Sequence, residues 1–154
     1  MPPRYWPALI AISLAAACAS PQPLHVTSYV VRDLNPIDHN ADPMARNEKL
    51  RRLHGAVSIE ERRQLLGHYY TFNWHHPDGK GSAPATLTFE YQQGATASQI
   101  KSIRREFPAD NASGTTEISI IGDDYIHGGR VLAWRATLRR GDETIATRQS
   151  YLWQ

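Results

Sequence analysis

The chain has 154 residues, 41% of them hydrophobic, and its 17 Lys and Arg against 15 Asp and Glu leave a net charge of +2. That composition supports one folded domain and excludes a disordered chain, and the near balance of charge speaks against a dedicated nucleic-acid binder. A single cysteine, Cys18, excludes an intramolecular disulfide, so stability must come from packing.

The first twenty residues read MPPRYWPALIAISLAAACAS. Arg4 precedes a 12-residue apolar run, Trp6 to Ala17, broken only by Pro7 and Ser13. A spanning helix needs about 20 apolar residues. This run is too short for that and fits the h-region of a secretory signal. Pro2, Pro3 and Pro7 speak against an N-terminal core helix.

Leu14-Ala15-Ala16-Ala17-Cys18 resembles the lipobox of bacterial lipoproteins, in which cleavage falls just before the cysteine and its sulfur carries a diacylglycerol. It departs from that pattern at Ala15, where leucine is preferred; Leu14 lies one place too early. The resemblance implies a signal peptide over 1–17, a tether over 18–23 and Cys18 as the lipidation site. It also implies export to the bacterial cell envelope, with the membrane as a partner through the lipid anchor. The rival reading is signal-peptidase cleavage after Ala17-Cys18-Ala19, which would discard the cysteine.

The stretch 24–32, LHVTSYVVR, reads as a strand and 33–43 as a turn-rich loop. Asp42-Pro43 predicts the start of a helix over 43–54. Ser58 and Glu61 form a capping box for a second helix, 58–67, with Gly67 as its C-cap. The region 42–67 is thus a helical insertion carrying six basic and four acidic residues. A solvated charged face accounts for it, with a weak contact to anionic lipid as the alternative.

From residue 68 the period becomes two. Tyr70, Phe72 and Trp74 alternate with Tyr69, Thr71 and Asn73. Leu87, Phe89 and Tyr91 alternate with Thr88, Glu90 and Gln92. In 99–107, Ile103 and Phe107 share a face that Ile100 does not, which suggests a bulge or a late start. Segment 115–121 is a further strand. The last two, with Leu132, Trp134, Ala136 and Leu138 on one face of the first, flank a Gly141-Asp142 hairpin signal.

Seven short strands with regular turns predict a mainly β, immunoglobulin-like antiparallel sandwich over 24–154, with a small β-barrel as runner-up. The segment YTFNWHHPDGKGSAPATLTFEY (70–91) resembles the second and third strands of fibronectin type III domains: a strand ending in Trp74, then Pro77, a Gly/Pro loop, and a strand ending in Tyr91. The resemblance implies the sandwich fold. The helical insertion and the C-terminal half depart from the family, and Tyr125 is the candidate for its later tyrosine.

Candidate chemistry is sparse. His75 and His76 are adjacent and point to opposite faces of a strand. His68 and His76 share a face but lie over ~20 Å apart along an extended chain. His25, His39, His54 and His127 show no ligand spacing, so no metal is expected. Asp123-Asp124 fits a turn better than a calcium loop. Gly79-Lys80-Gly81-Ser82 is a hairpin loop rather than a phosphate loop, Arg140-Gly141-Asp142 is a tight turn, and Asn111-Ala112-Ser113 fits a glycosylation sequon whose modification the bacterial leader speaks against. There is no nucleophile elbow. No catalytic residue and no cofactor can be named.

These features lead to a non-enzymatic envelope lipoprotein with a binding or structural role, partnered by an envelope protein or a cell-wall glycan. In the glycan version, Tyr69, Tyr125 and Trp153 would be exposed rings on one face. A hydrolase is the third reading. It would require His68 or His127 to meet Asp124 or Glu90 in one pocket.

Overall fold

Strand alternation places one apolar row on each of two facing sheets. The computed structural model describes residues 22–35, 42–79, 81–96 and 98–154; the stretch expected to be a signal peptide, Cys18 and His39 lie outside them. Strands β1 (Leu24–Val31), β2 (Gly67–His75) and β5 (Ser113–Ile121) form a three-stranded sheet in the order β1-β2-β5. Strands β3 (Ala85–Gln93), β4 (Lys101–Phe107), β6 (Val131–Arg140) and β7 (Glu143–Gln149) form a four-stranded sheet in the order β4-β3-β6-β7. All five pairings are antiparallel. The fold is a mainly β, immunoglobulin-like sandwich of two antiparallel sheets. Its helical insertion, α1 (Pro43–Leu53) and α2 (Ile59–Arg63), lies between the first two strands.

The core forms where the two inner rows meet. Leu24, Tyr70, Phe72, Trp74, Ile118 and Ile120 come from one sheet; Leu87, Phe89, Tyr91, Ala136 and Leu138 come from the other. Burial of each large side chain contributes about 1.5–3 kcal/mol. Phe89 anchors an aromatic network, with ring centroids 4.7 Å from Tyr70 and 5.3 Å from Phe72. Arg148 Nε donates to the Leu24 carbonyl at 3.1 Å and ties β7 to β1.

Three local readings change, and at β4 the expected late start holds. Leu132 is exposed rather than on the inner face: Gln92 pairs with Ala133 and Gln93 with Val131, so Leu132 is the extra residue of a bulge. Gly67 does not cap α2, which ends at Arg63; it opens β2, and a Cβ there would lie 2.1 Å from the Ile120 carbonyl oxygen. The stretch expected to be a turn at Asp123-Asp124 is a short helix, α3 (Asp123–Gly128), set between Gly122 and Gly129 at positive φ. β4 starts at Lys101, leaving Ile100 exposed, while Ile103 and Phe107 pack on the core.

Candidate functional site

The outward row of the three-stranded sheet carries Tyr29, Tyr69, Thr71 and Glu117, brought into register by the β1–β2 and β2–β5 pairings. The helical insertion covers this row. Asp42 caps α1 by accepting the N–H groups of Met44 and Ala45 at 2.8 and 3.0 Å. Tyr29 then donates its hydroxyl to the Ala45 carbonyl at 2.8 Å, and Tyr69 donates to the Leu65 carbonyl at 2.7 Å.

Arg52 is the central side chain of this contact. Its guanidinium lies over the Tyr69 ring, 4.1 Å from the centroid. Its Nε donates to Glu48 at 2.8 Å and its Nη1 to Glu117 on β5 at 2.5 Å. Hydrogen bonds from Arg51 and Arg52 lower the Glu48 pKa to about 2. Burial raises the Tyr69 hydroxyl above its usual range. Beside these groups a groove of about 400 Å³ is lined by Tyr29, Met44, Glu48, Arg52, Tyr69 and Thr71. It mixes aromatic, thioether and charged surface. It suits an amphipathic ligand or peptide.

The three aromatic residues expected to form an exposed platform do not form one. Tyr69 is 5% exposed because the helical insertion closes over it. Trp153 is 7% exposed; Arg135 lies 5.0 Å over its ring, and the turn after β7 folds it back onto the four-stranded sheet. Tyr125 is half-buried on α3, its ring 5.8 Å from His68. Each ring closes a different part of the fold.

The residues named for a hydrolase are each engaged with other groups. Glu90 is held by Arg135 at 2.8 Å, Asp124 faces Lys101 at 3.9 Å, and His127 Nδ1 lies 3.1 Å from the Asp123 carbonyl oxygen. His68 Nδ1 lies 3.4 Å from the Tyr70 hydroxyl, and its Nε2 is buried with no hydrogen-bond partner among the described residues. Among the described residues no group of three or more His, Cys, Asp or Glu is placed to hold a metal ion.

Sequence reading missed Arg52, Tyr29 and Glu117 as a set. The alternation of β2 placed Tyr69 and Thr71 on the outer row, but an outer row does not say what covers it. No family model matches the chain, and comparisons with curated proteins and with solved structures found no match either.

Proposed function

We propose that this chain is an exported envelope protein whose sandwich domain has a non-enzymatic binding or structural role. More specifically, it is a lipoprotein held to a membrane by a diacylglycerol on Cys18. The observation that carries this reading is the order of residues ahead of the domain: Arg4, an apolar run, then Leu14-Ala15-Ala16-Ala17-Cys18. A lone thiol in an exported chain has a use as an attachment point. Several acyl chains, at about 0.8 kcal/mol per buried methylene, make a stable anchor.

Sandwich domains bind through loops, sheet edges and the hollows beside them. The groove between α1 and the outer row supports such a role, since Tyr29 and Met44 supply contact area and Glu48 supplies a charge at its edge.

The mass of the mature N-terminal peptide, from protein processed in a bacterial envelope, tests the anchor. A peptide starting at a diacylglyceryl-modified Cys18 is expected. A peptide starting at unmodified Ser20 overturns it. The binding role is tested by cross-linking in intact envelopes from a photoreactive residue at Thr71; no cross-linked partner, together with measurable hydrolytic turnover, overturns it.

A further inference from the structure

The helical insertion carries four of the large apolar side chains that stay exposed: Met44 at 81%, Leu50 at 52%, Val57 at 86% and Ile59 at 72%. On α1, Met44, Asn47, Leu50 and Arg51 recur at helical spacing and are all exposed, as is the C-cap His54. Arg52, on the opposite side, faces the sheet. Val57 and Ile59 then form the tip of the connection into α2.

That tip is held in place. The Glu61 carboxylate accepts the N–H groups of Val57 and Ser58 at 2.8 and 2.9 Å, and Ser58 Oγ accepts the Glu61 N–H at 3.1 Å. These bonds lower the Glu61 pKa. An apolar residue just before a helix cap commonly packs on an apolar residue at the fourth helical position. Here that position is Arg62, and Val57 stays in water. The backbone therefore fixes two apolar side chains in solvent, and folding gains nothing from them.

Cations border the same face. A hollow of about 820 Å³ beside Leu50 is lined by Lys49, Arg51 and Arg62 together with Leu34 and Leu53, and no Asp or Glu stands among the described residues that line it. Carboxylates just outside temper this charge: Lys49 pairs with Asp33, Arg51 with Glu48 and Arg63 with Glu60. The attraction is therefore short-ranged and acts only at contact.

We propose that this face is a membrane contact. Val57 and Ile59, with Leu50, enter the boundary between headgroups and acyl chains, and Arg62 and Arg63 meet the phosphates of anionic lipids. The inference rests on the reading of the chain as membrane-anchored, because a tethered domain needs only a weak second contact to lie flat on the bilayer.

The test uses the full chain as Cys18→Ser with Val57→Cys, labelled with an environment-sensitive fluorophore. The control carries Thr147→Cys, exposed on β7. Vesicles of phosphatidylethanolamine with phosphatidylglycerol are compared with phosphatidylcholine alone. A blue shift at 57 and none at 147, on the anionic vesicles only and reversed by salt, is expected. Adding Arg62→Glu and Arg63→Glu weakens the response on the order of tenfold, with an unchanged circular dichroism spectrum. No shift at 57, or an equal shift at 147, overturns the proposal. An undiminished shift on phosphatidylcholine overturns the role of the arginines. A shift at 57 on adding an acidic protein, with none on vesicles, assigns the face to a protein instead. The fluorophore reads the tip alone, and the anchor is decided separately by the N-terminal peptide mass, so the two failures are distinguishable.

Discussion

The imidazole of His68 is stacked with the ring of Tyr70, their centroids 6.1 Å apart on the inner row of β2. His68 is 6% exposed. Burial, with the nearby charges of Arg130 and Arg32, lowers its pKa from 6.5 to about 4. The unfolded chain therefore takes up a proton at a higher pH than the folded one. Stability is fully present above pH 6.5 and falls as the pH drops toward 4, by about 3 kcal/mol from this group. Urea midpoints measured from pH 7 to 4.5 should fall in the parent chain and stay nearly level in His68→Gln. The window lies above the range where Glu48 and Asp33, both with lowered pKa, begin to protonate. An equal slope in both proteins removes His68 as the cause.

Arg140 is a buried cation paired with carbonyls rather than a carboxylate. Its guanidinium donates to the carbonyl oxygens of Ala83, Ala109 and Asn111 at 2.9, 2.8 and 2.6 Å, and so joins the loops before β3 and before β5. Arg140→Met leaves those carbonyls without their donor and should cost about 2–4 kcal/mol in denaturant unfolding. Arg140→Lys should recover only part of it, because an ammonium lacks the planar fork. Full stability in Arg140→Met would refute the joining role.

Gly67 and Gly55 both adopt positive φ, at +143° and +88°, but only Gly67 is crowded. A Cβ on Gly67 would lie 2.1 Å from the Ile120 carbonyl oxygen and 2.8 Å from the Ile121 Cα; on Gly55 it would meet nothing within 4 Å. Gly55→Ala should cost about 1 kcal/mol, the backbone strain alone. Gly67→Ala should cost several times more, because backbone must move against backbone. Thermal unfolding of the two variants side by side checks the ratio.

Arg52 links the helical insertion to the sheet through Tyr69 and Glu117. Arg52→Met should remove about 1–3 kcal/mol of that attachment. Hydrogen exchange should rise over 43–66 while the core of β3 and β6 stays protected. Uniform loss of protection across the sandwich would show that the insertion and the sheets open together. Tyr69→Phe should reproduce a smaller part, near 1 kcal/mol, from the lost bond to the Leu65 carbonyl.

Much of the sandwich was legible because a strand's period is a local property. Phe72, Trp74, Leu87 and Phe89 each announce an inner row through their neighbours at i±2, and Ser58 with Glu61 announces a helix start by direct bonding. The bulge at Leu132 was not legible. It changes the parity of β6 only through the pairing of Val131 with Gln93 on another strand. Gln93 itself is fully buried and donates to the Asp124 and Gly129 carbonyls, which fixes α3 where the sequence suggested only a turn.

The fate of the outer aromatics divides what the chain says alone from what folding adds. The sequence by itself determined the seven-strand count and most of the inner rows, since each depends on order and spacing along one chain. Only the tertiary structure decided that Tyr69 lies beneath Arg52, that Trp153 lies beneath Arg135, and that Val57 and Ile59 stay in water. A residue on an outer row is exposed or buried according to which distant segment lands on it, and that depends on the packing of the whole domain.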